Sequence, residues 1–442
     1  MKKLSIYSFL FTNENSYYLF NTETLVKAKI SQSLYHALSE GNLSDINNDL
    51  LNILEEKKVI VEEGHQYDFF NKMEIETNRI NYDMTSMTLF LIPTMGCNFC
   101  CPYCFEGQKD EVAMDSHTIQ NIIKFIDNSA PEKLTLHWYG GEPLLRFDLI
   151  KEIYESIIKD TTLNTINQSV VTNGYLVNEK VIDFFRETHL ENIQITLDGK
   201  KETHDKKRHL KGCLIGTFDK IIDNVRLLSK QLPNSKISVR INIDKNNYKE
   251  FVDLYHYLHN ECDLNNNVHV YPALIKVYEQ LGEQLDETCF SNDEVFKLYD
   301  YYKSQGCEVV YFPKFHKHTC SICSLNMYTI GPKGEIYKCP EDANNPQKII
   351  GNINEGALKN EHLLLSYLNE SSQFNRDECK HCLCFPICYG GCGKEYLKDR
   401  YHNGKLNYCH PLKKPEALKK AFLEDIKDSH KNLNPNFQFD IY

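Results

Sequence analysis

Residues 87–107 read MTLFLIPTMGCNFCCPYCFEG, a strand-like apolar run that leads directly into a cysteine-rich loop. Four cysteines fall within the eight positions 97–104, and two of them, Cys100 and Cys101, are adjacent. Thiols this close together either bind something or must be kept from reacting with one another. The loop therefore predicts a binding site that has one cysteine too many.

The spacing of Cys97, Cys101 and Cys104 is C-x3-C-x2-C. Three thiolates are one short of the four protein ligands that close a structural zinc site. They suit a cubic 4Fe–4S cluster in which three irons have protein ligands and the fourth iron stays open. An open iron is a place where a small molecule can bind.

Composition limits the possible classes of protein. The chain has 442 residues, enough for roughly two to four domains, and its formal net charge of −11 argues against a nucleic-acid partner. No apolar stretch approaches about 18 residues, so we expect no membrane span, and the N-terminus lacks the cleavage site of a signal peptide. We therefore expect a cytoplasmic protein, in which 17 cysteines indicate metal binding or reactivity rather than disulfides.

Strand-like and helical stretches alternate from residue 87 to about residue 310. Such repeats predict an α/β fold with a parallel sheet, either doubly wound or curled into a barrel. The cysteine loop, GGEP, TNG and LDG each follow one of the first four strands, and chemistry in barrels collects at the carboxyl ends of the strands. We therefore favour a partial (β/α)6 TIM-type barrel. The predicted strands are 87–94, 133–140, 167–174, 192–199, 236–244 and 267–275, and the first predicted helix is 115–130.

The sequence resembles the radical S-adenosylmethionine (SAM) enzymes, whose signature is this cysteine spacing with an aromatic residue before the last cysteine. Tyr103 fills that position. The resemblance continues through YGGEP (139–143), TNG (172–174) and TLDGKKETHDKKR (196–208). It implies that the open iron of the cluster binds SAM and that SAM is cleaved to a 5′-deoxyadenosyl radical.

The resemblance also decides which cysteine is surplus. The register Cys97, Cys100, Cys104 has the two spacings in the wrong order for this family, so Cys97, Cys101 and Cys104 are the expected ligands. We interpret Cys100 as a packing residue that binds no iron.

A set of SAM contacts follows from the same resemblance. The turn 140–143 would receive the methionine amino group, and Arg208 would meet the carboxylate. Glycine allows close backbone approach, and arginine offers a carboxylate a two-pronged donor. The expected contacts are Tyr103, Gly140, Gly141, Glu142, Pro143, Asn173, Thr196 and Arg208.

Nine further cysteines are concentrated in residues 320–409. C-x2-C pairs of this kind could build a zinc ribbon. The arrangement also resembles the SPASM extension of radical SAM proteins, which implies two auxiliary 4Fe–4S clusters in addition to the radical SAM cluster. Cys384 lies outside that pattern and is interpreted as a spare. The nearer cluster would be held by Cys320, Cys323, Cys339 and Cys392, and the farther one by Cys379, Cys382, Cys388 and Cys409.

Residues 1–80 predict a small N-terminal module in winged-helix style. Short β-like runs at 5–11, 16–22 and 24–30 precede a helix, and residues 58–64 could add a strand. This order of elements is similar to the peptide-recognition domains of peptide-modifying enzymes, in which a leader peptide pairs with an edge strand. The alternative is an extension that only packs on the barrel.

Three domains are therefore predicted: the module 1–80, a radical SAM partial barrel over 81–310 and a SPASM domain over 311–442. The resemblance implies an oxidoreductase of the ribosomal-peptide maturase type, like sactipeptide, ranthipeptide and streptide maturases and related to anaerobic sulfatase-maturating enzymes. It would form a thioether, ether or carbon–carbon crosslink in a precursor peptide, with electrons from a flavodoxin- or ferredoxin-type protein.

Two alternatives remain open at this point. One is a sulfatase-type maturase that makes formylglycine, although that family usually starts directly at the barrel. The other is a non-catalytic iron–sulfur or zinc scaffold. The sequence identifies no catalytic base.

Overall fold

The structure is a computed structural model that describes residues 1–104, 111–163, 166–275, 287–309, 320–401, 409 and 411–430. These residues form two compact units. The first unit contains the described parts of 1–81, 310–323 and 367–442, and the second contains those of 82–309 and 324–366. The units do not follow the three consecutive segments predicted from the sequence, because both ends of the chain contribute to one unit. The division into three functional modules stays a prediction.

The N-terminal residues form two small antiparallel sheets and the helices that cover them. One sheet has three strands that pair in chain order, and the other has two strands. Leu19 of the middle strand packs into one apolar core with Leu34 and Leu54 of the neighbouring helices. The elements are β1 (Lys2–Leu4), β2 (Ser8–Asn13), β3 (Ser16–Asn21), β4 (Lys27–Ile30), α1 (Gln32–Glu40), α2 (Asn48–Glu56), β5 (Ile60–Glu62) and α3 (His65–Asn81).

The second unit is built on a parallel sheet whose strands alternate with helices. Its first six strands are parallel and lie side by side in chain order. This confirms the parallel α/β sheet that is typical of a radical SAM partial barrel. The elements are β6 (Ser86–Leu91), α4 (Ser116–Ser129), β7 (Lys133–Trp138), α5 (Phe147–Asp160), β8 (Ile166–Thr172), α6 (Glu179–Glu187), β9 (Leu190–Leu197), α7 (Lys201–Lys207), α8 (Phe218–Gln231), β10 (Lys236–Ile243), α9 (Glu250–Asn260), β11 (Val268–Leu274) and α10 (Asn292–Ser304).

The main core lies between this sheet and its helices. The apolar residues of α4 recur every three or four positions, so Ile119, Ile122 and Ile126 are buried on one face. On the strands, fully buried residues such as Leu134, Leu136 and Trp138 alternate with less buried ones. One side of the sheet therefore packs on helices, while the other side carries polar groups.

Residues 324–366 extend the same sheet, although the sequence predicted them in the C-terminal domain. The first added strand is parallel to β6, and the Asn326 amide donates to the carbonyls of Met84 (3.2 Å) and Ser86 (3.0 Å). The later strands add on by antiparallel pairing. The elements are β12 (Met327–Ile330), β13 (Glu335–Tyr337), β14 (Gly351–Asn352), β15 (Ala357–Leu358) and α11 (Glu361–Leu365).

The C-terminal residues complete the first unit by packing on the N-terminal elements. Its remaining helices are α12 (Asp377–Lys380), α13 (Phe385–Cys388), α14 (Gly393–Tyr401) and α15 (Pro415–His430). The Phe70 ring of α3 lies 4.7 Å from that of Phe385, and the Phe11 ring of β2 lies 5.2 Å from that of Phe422. The N-terminal residues thus share an apolar core with the C-terminal ones. None of the described helices is both long and apolar enough to cross a membrane.

Candidate functional site

A cavity of about 180 Å³ lies at the carboxyl ends of strands β6 to β11. It brings together most of the residues that the sequence motifs singled out, because consecutive parallel strands deliver their following loops to one edge. Glu142 and Pro143 are buried and are absent from its wall. The predicted site residues that line it are Cys97, Cys101, Tyr103, Cys104, Gly140, Gly141, Asn173, Thr196 and Arg208.

Cys100 behaves differently from the other three cysteines of its loop. It does not line the cavity, and it is exposed to solvent. Our interpretation of Cys100 as a packing residue is therefore wrong. Its role as the surplus cysteine stays a prediction.

The two glycines after β7 let that turn lie against the start of the cysteine loop. Gly140 has a φ of +112°, and a Cβ there would lie 2.7 Å from the Thr94 carbonyl oxygen. A Cβ on Gly141 would lie 2.3 Å from the carbonyl oxygens of Met95 and Gly96. No side chain fits at either position, so the close approach of the two loops requires glycine.

The Glu142 side chain ties the loops after β7 and β8 together. Its carboxylate is fully buried and accepts hydrogen bonds from the Leu144 N–H (3.1 Å), the Thr172 hydroxyl (2.6 Å) and the Asn173 N–H (2.7 Å). The Asn173 amide then donates to Oδ1 of Asn98 in the cysteine loop at 2.8 Å. The side chain predicted to contact SAM thus holds the wall of the cavity in place.

A buried polar cluster joins the cysteine loop to the LDG motif. The Tyr103 hydroxyl donates to Asp198 Oδ2 and accepts from Arg208 Nη1 at 3.0 Å. Arg208 Nη1 lies 3.8 Å from Asp198 Oδ1, too far for a hydrogen bond. Burial raises the pKa of the Asp198 carboxyl, while the charge of Arg208 and the hydrogen bond from Tyr103 oppose that rise.

A series of hydrogen bonds through His204 connects the backbone N–H of Asp198 to the backbone carbonyl of Arg208. The Asp198 N–H donates to His204 Nδ1 (3.3 Å), His204 Nε2 lies 3.0 Å from the Thr217 hydroxyl, and that hydroxyl donates to the Arg208 carbonyl (2.5 Å). Burial, and then the charge of Arg208, lower the pKa of His204 well below its ordinary value. His204 is therefore neutral, with its proton on Nε2 because Nδ1 accepts.

The sequence motifs did not point to several polar residues of the cavity. Arg240 and Asn242 occupy alternate positions of β10, and Arg240 Nε donates to Asn242 Oδ1 at 2.9 Å. Gln194 of β9 accepts from the Tyr271 hydroxyl at 2.9 Å. Glu341 also lines the wall. The available signal was polar residues at every second position of otherwise apolar strands.

The donor set of the cavity fits a cluster and an anionic ligand. Cys97 Sγ accepts from the Phe99 N–H at 3.4 Å, a contact that would stabilise a thiolate. Burial raises the pKa of the Cys101 thiol to about 11, and the nearby Cys104 and Cys97 add to that rise. Arg208 Nε is buried and has no hydrogen-bond partner among the described residues, so it is a ready donor for a carboxylate.

The C-terminal cysteines of the first unit fall into two groups. Burial of its sulfur, and then the nearby thiols of Cys323 and Cys392, raise the pKa of Cys320, although the residue as a whole is exposed. Cys339, the fourth ligand predicted with these three, follows β13 in the other compact unit.

The second group surrounds α12 and α13. Burial raises the pKa of the Cys379 thiol to about 12, and the nearby Cys382 and Cys388 add to that rise. Lys413 Nζ donates to Cys409 Sγ at 3.3 Å. Cys384 is buried and donates to the Leu412 carbonyl at 3.3 Å. Across the described residues, no three Cys, His, Asp or Glu side chains converge closely enough to hold a single metal ion.

Comparison with known proteins agrees with these features. Residues 91–258 match the family model of the radical SAM superfamily. The chain is 27% identical to the cysteine-type anaerobic sulfatase-maturating enzyme of Clostridium novyi (strain NT) over 70% of this chain and 88% of that one. It is 24% identical to the radical SAM cyclopropyl synthase TigE of Paramaledivibacter caminithermalis over 94% of this chain and 89% of that one.

A solved structure shares the fold. It is anSMEcpe with bound AdoMet and the Cp18Cys peptide, with a TM-score of 0.59, 20% identity and coverage of 79% of this chain and all of that one. The matched segment 91–258 contains the cysteine loop and the strand-end motifs that line the cavity. The chain is therefore an enzyme with a radical SAM segment over residues 91–258, which works with SAM and a 4Fe–4S cluster, and it is related to anaerobic sulfatase-maturating enzymes and to the radical SAM cyclopropyl synthase.

Proposed function

We propose that this enzyme modifies a ribosomally made precursor peptide by forming an intramolecular crosslink. The observation that carries the proposal is that the C-x3-C-x2-C cysteines meet the loops of four further strands in one cavity. When bound, the cluster and SAM supply a 5′-deoxyadenosyl radical that abstracts hydrogen from a peptide carbon. The bond formed is a thioether, an ether or a carbon–carbon bond.

The residues of the cavity are assigned to the two groups by their chemistry. Cys97, Cys101 and Cys104 would hold the cluster. Gly140 and Gly141 let the turn after β7 pack against residues 92–96, where a Cβ would clash, and both glycines line the cavity. Arg208 offers its free Nε to the carboxylate of SAM. Tyr103, Asn173 and Thr196 complete the wall around the same molecule.

The C-terminal cysteines are proposed to hold two auxiliary clusters that supply an acceptor for the second electron. The grouping of Cys320 with Cys323 and Cys392, and of Cys379 with Cys382 and Cys388, supports this assignment. A flavodoxin- or ferredoxin-type protein is the proposed donor of the first electron.

Strand β4 is the proposed docking site for the leader of the peptide. Among the described strands it pairs only with β3, and we call the side away from β3 its open edge. The Asn21 N–H donates to the Val26 carbonyl at 2.8 Å, and hydrogen-bonded pairs alternate along an antiparallel ladder. The amides of residues 26, 28 and 30 therefore face β3, while that of Lys29 faces the open edge. A peptide strand can pair with this edge through its main chain alone.

The length of the similarity supports a peptide maturase over a sulfatase-type enzyme. The match to the cyclopropyl synthase spans 94% of this chain, so it includes most of residues 1–80. The match to the sulfatase-maturating enzyme spans 70%. Formation of formylglycine is the second candidate, favoured by the higher identity of that relative.

Docking can be tested by single substitutions, because deleting residues 1–80 would uncover the core shared with residues 367–430. Lys29→Pro removes an amide that faces the open edge, whereas Lys29→Ala keeps it. We expect the proline variant to bind a leader peptide about tenfold more weakly, the equivalent of one or two lost hydrogen bonds. The alanine variant should bind it normally, and SAM cleavage without peptide should persist in both.

The substrates for this test are any short peptides encoded by open reading frames beside the gene, each incubated anaerobically with reconstituted enzyme, SAM and a chemical reductant. Mass spectrometry should show a product that has lost two hydrogens and contains a crosslink between two residues. A product with an aldehyde that reacts with hydrazine would indicate formylglycine instead. Formation of 5′-deoxyadenosine without any peptide product, across such peptides, would refute the proposed function.

A further inference from the structure

A hydroxyl group lies between the charged groups of Arg208 and Asp198. Both side chains are nearly inaccessible, with Asp198 0% and Arg208 8% exposed. Their nearest atoms, Nη1 and Oδ1, are 3.8 Å apart. The Tyr103 hydroxyl stands between them, bonded to the other carboxylate oxygen on one side and to Nη1 on the other.

This arrangement leaves two polar atoms unsatisfied. Among the described residues, neither Asp198 Oδ1 nor Arg208 Nε has a hydrogen-bond partner. When nothing lies between a buried guanidinium and a carboxylate, a nitrogen of one approaches an oxygen of the other to about 2.7–2.9 Å. The two groups frequently form two parallel hydrogen bonds. Such a direct pair would satisfy Oδ1. A buried polar atom without a hydrogen-bond partner costs free energy, so the separation of Arg208 from Asp198 needs a physical explanation.

The surroundings of Tyr103 keep its hydroxyl in this place. Asn242 Nδ2 donates to the same oxygen at 3.4 Å, from the neighbouring wall of the cavity. The guanidinium of Arg208 also lies over the Phe99 ring, 5.6 Å from its centre. Tyr103, Phe99, Asn242 and Arg208 all line the cavity, whereas Asp198 does not. The hydroxyl thus separates an arginine on the wall from a carboxylate behind it.

We propose that the Tyr103 hydroxyl is a spacer that stops Arg208 from closing onto Asp198, so that the guanidinium stays turned to the cavity for the carboxylate of SAM. Tyr103 and Asp198 are positioning residues in this proposal, since both act through Arg208. The proposal rests on the assignment of Arg208 to SAM but not on the nature of the peptide product.

The test compares the binding of SAM with that of decarboxylated SAM, which lacks the group that Arg208 would hold. Dissociation constants are measured by anaerobic calorimetry on the reconstituted enzyme. Tyr103→Phe keeps the ring but removes the spacer, and we expect it to weaken SAM binding about tenfold, the equivalent of one charge-assisted hydrogen bond. Binding of decarboxylated SAM should change less than about twofold, which is within the effect of a remote surface change.

A double variant separates this role from simple packing. In Tyr103→Phe/Asp198→Asn the carboxylate charge that would capture Arg208 is gone, so affinity for SAM should recover most of the loss. Asp198→Asn alone keeps an oxygen for the Tyr103 hydroxyl and should have little effect. Asp198→Glu keeps the tyrosine but extends the carboxylate past its hydroxyl, so it should weaken SAM binding as Tyr103→Phe does. This variant tests the same proposal if Tyr103→Phe fails to fold.

Tyr302→Phe is the matched control. It removes a buried hydroxyl that donates to the Tyr248 carbonyl at 2.9 Å, away from the cavity. This control should leave the binding of both ligands unchanged. Equal weakening of both ligands by Tyr103→Phe, or no recovery in the double variant, would overturn the spacer role. An enzyme that shows the expected binding pattern but yields no modified peptide would refute the proposed function and leave the spacer role standing.

Discussion

Replacing Glu142 by glutamine should destabilise the second unit strongly, although it changes a single atom. The carboxylate receives two backbone N–H groups, one on each oxygen, from Leu144 and Asn173. A glutamine has one oxygen and an NH2 group, so in either orientation one backbone N–H faces another donor. The Thr172 hydroxyl can rotate, but a backbone N–H cannot.

The expected size follows from these contacts. A buried N–H left without an acceptor costs about 1–3 kcal/mol, and the remaining hydrogen bonds lose the part that comes from the negative charge. We therefore expect Glu142→Gln to lower the free energy of unfolding of the second unit by about 2–4 kcal/mol. Glu191→Gln, at an exposed position of β9, should change it by less than about 0.5 kcal/mol.

Urea unfolding followed by hydrogen exchange is the appropriate assay, because two compact units need not unfold together. In Glu142→Gln the amides of Leu144 and Asn173 should exchange faster before global unfolding begins. The reasoning would be refuted by a variant with wild-type stability and wild-type protection of both amides. In that case the loops after β7 and β8 would be held by other contacts than this carboxylate.

Three further predictions concern the clusters and the pH dependence of folding. Alanine at any cysteine of the C-x3-C-x2-C motif should abolish formation of 5′-deoxyadenosine, while iron bound by the C-terminal cysteines remains. Cys100→Ala should stay active. An inactive Cys100→Ala variant together with an active Cys101→Ala variant would show that the ligands were assigned to the wrong cysteines. Cys388→Ala or Cys409→Ala should lower the iron content and stop peptide modification but leave uncoupled SAM cleavage, and full modification without those clusters would exclude a catalytic role for them. Burial lowers the pKa of His137 from 6.5 to about 4. Between these values the unfolded chain binds the proton more readily than the folded protein does. The stability associated with neutral His137 is therefore complete above pH 6.5 and is lost as the pH falls towards 4. His137→Gln should therefore flatten the unfolding profile in that window by up to about 1.4 kcal/mol per pH unit, and identical slopes would contradict the buried neutral state.

Local patterns in the sequence were enough to predict the framework of the site. Each of the six predicted strands of the parallel sheet contains or overlaps an observed strand, and α4 lies within the predicted helix 115–130. These elements follow from the period of apolar residues over a few turns, which depends only on neighbours in the chain. Since parallel strands end at one edge, the motifs after them were expected to meet, and they do.

The contacts that position individual side chains were decided by the tertiary structure. Tyr103 forms a hydrogen bond with Asp198, which is 95 positions away in the sequence. Glu142 does not line the cavity and instead holds two loops together through hydrogen bonds. No spacing rule predicts such pairs, because each is set by how strands and loops pack in three dimensions. The same applies to the shared core of Phe70 and Phe385, which joins the two ends of the chain into one unit. Apolar surface is buried wherever it finds a complementary partner, whatever the distance along the sequence.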